Sequence, residues 1–183
     1  MNLDNLTILI AHPDDEVIFG WMVLQKAKKI ICCSNDKTNN SLYPNWIHRE
    51  SALRQIGKIL NIPIICLNYN SGFYTNSNII PEIQEAIKNE PFIFTHNEWG
   101  EYGNKDHQLV HEIAKQSGKP IIVSNIYYKK TQLKYKSIPL GCESAEFKND
   151  IKFYNKCKEI YTSCDCWTWQ QPYIEKAKCY LEE

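Results

Sequence analysis

One imidazole and three carboxylates, His12, Asp14, Asp15 and Glu16, close a short apolar run in ILIAHPDDEVIFG, residues 8–20. Side chains of these types at this spacing can hold a metal and move protons, with His12 and Asp15 as ligands and Asp14, adjacent but pointing elsewhere, handling protons. A catalytic zinc needs three protein ligands and one open position, so a third ligand must come from another strand's carboxyl end. A purely structural account also exists. Asp14 or Asp15 caps the following helix, the helix dipole favours Glu16 in its first turn, and Pro13 shapes the turn. That account explains one carboxylate but not the whole group.

Among the other histidines His107 is best placed for the third ligand. THNEWGEYGNKDHQLVHEIA, residues 95–114, leaves an apolar run through a glycine-containing loop, and its spacing from Val110 and Ala114 turns His107 towards the sheet. His111, four residues on, reads as a helix-surface residue one turn further away. His48 reads as polar surface, and His96 lies close enough to support the ligands or to reach substrate.

These residues need a scaffold, and the apolar runs supply one. Thr7 to Ala11, Lys29 to Cys33, Ile64 to Asn68, Phe92 to Thr95 and Pro120 to Ser124 are short and uniformly apolar, the pattern of interior parallel strands. Between them Asp15 to Ala27, Trp46 to Leu60, Ile79 to Ile87 and Lys105 to Gln116 repeat at helical spacing, ended by Asn61-Ile62-Pro63 and Gly118-Lys119-Pro120. A βαβαβαβαβ order implies a Rossmann-like α/β sandwich of three layers with a mainly parallel sheet. In such sheets ligands bind beyond the strands' carboxyl ends, where His12 to Asp15 fall. A β-ribbon follows at Tyr127 to Lys130 and Gln132 to Ile138, then a helix from Phe147 to Tyr161.

The chain has 183 residues, which predicts one domain over 1–183. Its 21 basic and 21 acidic side chains cancel, so no long-range field gathers nucleic acid or an anionic membrane, and a small neutral ligand is the better expectation. The N-terminus reads as a strand entry with no signal peptide, and no run approaches spanning length, which predicts a cytoplasmic protein without membrane insertion. Eight cysteines include no C-x-x-C pair. Cys32, Cys33 and Cys66 read as buried thiols, and Cys164-Asp165-Cys166 lacks the second pair a structural zinc site needs. Trp167, Trp169 and Tyr173 cluster near the C-terminus, where core packing or a contact between subunits of a homo-oligomer is the commoner use of aromatics, and stacking on sugar the rarer one.

The sequence Ala11-His12-Pro13-Asp14-Asp15-Glu16, followed by Gly100-Glu101-Tyr102-Gly103 and Asp106-His107, resembles the LmbE-like or PIG-L family of zinc-dependent N-deacetylases. Residues 48–62, HRESALRQIGKILNI, are similar to the family's Arg-Glu helix, and residues 156–164, KCKEIYTSC, are loosely so. The resemblance implies the fold argued above, zinc as cofactor, and a small-molecule substrate, an N-acetylated amino sugar such as an N-acetylglucosamine glycoside. It implies His12, Asp15 and His107 as zinc ligands, Asp14 as general base, Arg49 as a contact to sugar hydroxyls and Tyr102 as donor to the oxyanion. Where the family has His-Pro-Asp-His this chain reads Asn104-Lys105-Asp106-His107. Asn104 replaces a histidine thought to stabilise the intermediate or assist the leaving amine, and it can donate a hydrogen bond but has no transferable proton.

The expected chemistry follows. Zinc lowers the pKa of bound water to about 7, Asp14 takes its proton, and attack on the acetamide is helped by the metal and Tyr102. Asp14 then returns the proton to the departing amine. A catalytically weak zinc- and sugar-binding protein of the same fold is the alternative, favoured by Asn104 and opposed by Asp14, which a pure binder would not need. A nucleotide-binding module is a third reading. It lacks a Gly-x-Gly-x-x-Gly after the first strand, and carboxylates there would repel phosphate.

Overall fold

The computed structural model describes residues 5–35, 44–129, 132–138, 144–145, 150–169 and 174–182. Its strands are β1 (Leu6–Ile10), β2 (Ala27–Ser34), β3 (Ile64–Tyr69), β4 (Phe92–Phe94), β5 (Ile121–Ser124), β6 (Ile126–Lys129), β7 (Gln132–Tyr135), β8 (Ser144–Ala145) and β9 (Cys179–Glu182). Its helices are α1 (Asp15–Ile18), α2 (Trp21–Leu24), α3 (Arg49–Leu60), α4 (Ile79–Ile87), α5 (Gly100–Gly103), α6 (Lys105–Gln116) and α7 (Ile151–Ser163). One sheet runs β3-β2-β1-β4-β5-β9-β8, parallel from β3 to β5 and antiparallel at β9 and β8. β6 and β7 form the separate antiparallel ribbon that the sequence predicts.

Chain order reverses beside β1, whose neighbours are β2 and β4, so the crevice expected of such sheets opens past its carboxyl end. Alternation along β1 builds the layers. Leu6, Ile8 and Ile10 face a core shared with Ala52, Leu53 and Ile56 of α3 and Tyr154, Cys157 and Tyr161 of α7. Leu9 and Ala11 face the other, with Ile79, Ile83 and Ile87 of α4 and Val110, Ile113 and Ala114 of α6. Both faces are covered, as a uniformly apolar parallel strand requires. Among the described residues no helix is long and apolar enough to cross a membrane.

Three expectations need correction. Asp15 to Ala27 is not one amphipathic helix but two single turns, α1 and α2, buried throughout, followed directly by β2. The break falls at Gly20, where a Cβ would lie 2.8 Å from the Phe94 ring, so close packing of the chain on β4 requires glycine. β3 is not an interior strand but an edge, half-exposed along its length with Ile65 open to solvent. The helix read from Phe147 begins at Ile151, capped by the Asp150 carboxylate accepting from Phe153 N–H at 3.0 Å, and Phe147 itself lies outside the described residues. Lys130 and Tyr173 lie outside them too.

Candidate active site

Past β1 the chain enters a turn in which Asp14 takes φ 107°, a left-handed conformation uncommon for a residue with a Cβ. Glu16 holds that turn: its Oε2 accepts from Asp14 N–H at 3.0 Å, and its Oε1 accepts from the Tyr161 hydroxyl of α7 at 2.6 Å. Burial pushes the Glu16 carboxyl up to about 7, against the pull of those donors. Asp14 sits at the N-cap position of α1, yet its side chain makes no cap hydrogen bond. The capping account of the sequence therefore does not describe what this carboxylate does.

The same turn delivers His12 and Asp15 to His107, in the first turn of α6. Three atoms converge: His12 Nδ1 and His107 Nε2 lie 3.0 Å apart, and Asp15 Oδ2 is 3.5 Å from the first and 3.4 Å from the second. Each imidazole has its other nitrogen on a carboxylate, His12 Nε2 on Asp106 Oδ2 at 3.0 Å and His107 Nδ1 on Glu101 Oε2 at 2.7 Å. Those carboxylates take the ring protons, so in the neutral tautomers the two inward nitrogens present lone pairs to each other. Burial keeps His107 neutral by lowering its pKa, and a proton on the neighbouring His96 ring would lower it further. Burial alone would raise the Asp15 carboxyl, but any positive charge on the His107 or His96 ring beside it draws it well below the usual carboxylate range, and its Oδ2 accepts the His12 backbone N–H at 2.8 Å. Two lone pairs and a carboxylate oxygen facing one point are a cation's donor set. A tetrahedral zinc with bonds of about 2.0–2.1 Å has ligand–ligand edges of roughly 3.3 Å, so these residues fit one.

Glu101 is the central support. It is buried at φ 56°, and its Oε2 receives His107 Nδ1 and also His96 Nδ1 at 3.1 Å, while Oε1 accepts from Asn97 N–H at 3.1 Å. Burial alone would raise its pKa, but the two rings bring it down to about 2. His96 stacks on His107 with ring centroids 3.8 Å apart. Burial opposes a charge on His96, whereas Glu101 and Asp15 favour one and raise its pKa. The Ala11 N–H, however, donates to His96 Nε2 at 3.0 Å, which a doubly protonated ring could not accept. The hydrogen-bond geometry therefore makes His96 a neutral ring with its proton on Nδ1. Asp106 is anchored in turn by the Gly72 and Tyr74 N–H groups at 2.7 and 2.9 Å.

Over this centre opens a cleft of about 330 Å³, walled by Trp46, Tyr74, Tyr102 and Trp169. Asp14 lies in it, with Oδ2 2.8 Å from Arg49 Nη2 and accepting from Trp169 Nε1 at 3.1 Å. The Arg49 guanidinium lies 3.8 Å from the Trp46 ring centroid and is 4% exposed. Asn104 caps α6: its Oδ1 accepts from Asp106 N–H at 2.8 Å and from His107 N–H at 3.4 Å. That fixes the amide's orientation, so Nδ2 is the atom that donates to the Tyr102 hydroxyl at 2.8 Å. Tyr102 Oη is then an acceptor there, and its own proton points away from Asn104.

The structure thus brings together His12, Asp14, Asp15, Arg49, Tyr102, Asn104 and His107 at one cleft. Arg49 borders the cleft, but its charge is committed to Asp14 rather than presented to sugar hydroxyls alone. His96 does not reach substrate: it is 1% exposed, behind the His107 ring. His111 is not at the surface but buried, its Nδ1–H donating to the His96 carbonyl at 2.8 Å, so the helix face read as outward is packed against the end of β4. His48 is exposed. The Cys164–Cys166 turn is absent from the groups that could hold a metal among the described residues, which are His12, Asp15, His107 and His96, Glu101, His107. The sequence conveyed neither the supporting bonds made by Glu16, Glu101 and Asp106 nor the approach of Trp169 to Asp14. Glu101 and Asp106 did leave a signal, since each stands within six residues of His107.

A mainly parallel sheet of this strand order, with two histidines and a carboxylate converging at its switch point, defines a Rossmann-like α/β protein built around a cluster that could hold a metal ion. The chain belongs to the PIG-L family: residues 7–117, more than half its length, match the family model described as GlcNAc-PI de-N-acetylase. A relative, the uncharacterized protein L374 of Acanthamoeba polyphaga mimivirus, is 24% identical over 136 residues, 66% of this chain and 60% of its own length. The chain thus spans less than two thirds of that relative. The crystal structure of the A40926 pseudoaglycone deacetylase Dbv21 superposes with a TM-score of 0.68 at 10% identity, covering 97% of this chain and 96% of that one. A deacetylase–teicoplanin complex gives 0.68 at 9% identity, covering 96% of each chain. The conserved protein TT1542 from Thermus thermophilus gives 0.61 at 14%, covering 87% of this chain and 79% of that one. At these identities the likeness is one of fold.

Proposed function

We propose that this chain is a zinc-dependent hydrolase that removes the acetyl group from an N-acetylated amino sugar or glycoside. The observation that carries the reading is the convergence of His12 Nδ1, His107 Nε2 and Asp15 Oδ2 within 3.5 Å of one another, beside the Asp14 carboxylate in an aromatic-walled cleft. Family membership and the deacetylases among its structural neighbours support it.

His12, Asp15 and His107 would hold the ion, which when bound supplies Lewis acidity and makes a coordinated water acidic near neutral pH. Asp106 and Glu101 fix the tautomers of the two imidazoles, so that lone pairs and not protons face the metal. Asp14 accepts the proton of the attacking water and returns it to the departing amine, one carboxyl serving both directions. Tyr102, whose oxygen is occupied as acceptor by Asn104, directs its own proton to the carbonyl oxygen as charge develops there. Asn104 performs no proton transfer: it caps the helix that carries His107 and aims Tyr102. The aromatic walls supply faces for a pyranose ring, and acetate and a free amino sugar leave. The test is acetate release from a panel of N-acetylhexosaminides with and without a chelator. Release that stops on chelation and returns with zinc is expected, whereas no release from any member would reduce the protein to the zinc- and sugar-binding alternative.

A further inference from the structure

Residues 7–117 carry the family match, yet the Asp14 carboxylate is gripped from far outside them. Trp169, 155 positions away in sequence, donates its indole N–H to Asp14 Oδ2 at 3.1 Å, the same oxygen that Arg49 Nη2 approaches at 2.8 Å. The segment bearing Trp169 is tied down. Cys166 N–H donates to the Tyr161 carbonyl at 3.1 Å, and Trp167 donates its indole N–H to the Trp169 carbonyl at 2.7 Å. The Trp167 ring in turn packs against Tyr154 and Tyr161 of α7, at centroid distances of 6.4 and 6.1 Å. Tyr161, fully buried, reaches the other side of the same residue through Glu16, which accepts the Asp14 backbone N–H. The C-terminal segment therefore contacts Asp14 directly at its carboxylate and, through Glu16, at its backbone.

We propose that Trp169 is a positioning residue for Asp14. An ion pair alone leaves a carboxylate able to swing about its side-chain bonds, whereas a directional hydrogen bond from a different element, converging on the same oxygen, restricts its rotation. Any aromatic ring can wall a sugar cleft, and Trp169 does pack 5.7 Å from the Tyr102 ring. Only an indole adds a donor and nothing else, so the N–H, not the ring, carries the argument. The inference rests on Asp14 serving as base, but the contact itself can be tested without that.

Trp169→Phe keeps the wall and removes the donor. On the substrate with the highest acetate release, kcat is expected to fall roughly tenfold or more, with KM within about twofold and an unchanged thermal midpoint. A rise in KM at unchanged kcat would overturn the proposal in favour of a sugar-stacking wall, and a lowered midpoint that accounts for the lost activity would overturn it in favour of packing. The second readout needs no substrate. In indole 1H–15N spectra of the zinc-loaded protein, the resonance lost in Trp169→Phe should move upfield in Asp14→Asn while those of the other tryptophans distant from Asp14 stay in place. A Trp169 resonance unmoved by Asp14→Asn overturns the proposal by itself, whether or not the wild type releases acetate.

Discussion

Replacing Glu101 by glutamine should loosen the metal and destabilise the protein together. The carboxylate takes His107 Nδ1 and His96 Nδ1 on Oε2 and the Asn97 N–H on Oε1, so all its near partners are donors. A glutamine must turn its NH2 either towards the two rings or towards Asn97. Either way a buried donor faces a donor, which costs about 1–3 kcal/mol. The pKa gives a second figure. A fall from the ordinary 4.5 to about 2 corresponds to at most about 3 kcal/mol of stability, an upper bound because a neutral His96 contributes less than a charged one. A depressed carboxyl stabilises fully above its unfolded pKa, near 4.5, and loses that contribution as pH falls towards 2. Urea unfolding of metal-free wild type and Glu101→Gln should therefore differ by about 1–3 kcal/mol at pH 7, the gap narrowing below pH 4.5. Chelator competition should show zinc affinity reduced about 10- to 100-fold, because His107 loses the partner that fixes its tautomer. Equal stability and zinc affinity in the two proteins would refute the role given to Glu101.

Asp14→Asn should retain zinc while turnover falls at least about a hundredfold, measured as metal content and acetate release; loss of zinc with the contact geometry otherwise intact would make Asp14 a ligand. Arg49→Ala strips the buried Asp14 carboxylate of its cation and should cost about 3 kcal/mol in denaturant unfolding, with comparable kcat losses on a minimal acetamide and on an amino sugar. A loss confined to the sugar would return Arg49 to hydroxyl recognition. Asn104→Ala should lower stability by about 1 kcal/mol through the lost helix cap and slow turnover by releasing Tyr102; a thermal scan and acetate release check the two separately.

How far the sequence anticipates this site depends on distance along the chain. The parallel strands are legible because a strand buried on both faces must be apolar throughout, and His12 to Asp15 fall at the end of the first one. The same uniform burial hid the break at Gly20, since periodicity cannot separate a fully buried helix from two buried turns. β3 misled for a related reason: isoleucine, cysteine and leucine suit an edge as well as an interior. Glu101 is buried from a positive-φ position in a turn, which no spacing rule conveys, and Asp106 reads equally as a dipole-favoured acid. The pairing of Trp169 with Asp14 joins opposite ends of the chain and is visible only once α7 is packed.

The central claim is that His12, Asp15 and His107 hold the catalytic ion, in a chain that also carries eight cysteines. X-ray absorption at the zinc edge of the loaded protein tests it most directly. The account predicts only nitrogen and oxygen neighbours at about 2.0–2.1 Å, with the multiple-scattering pattern of two imidazoles. Sulfur at about 2.3 Å would place the ion on cysteines and contradict the account.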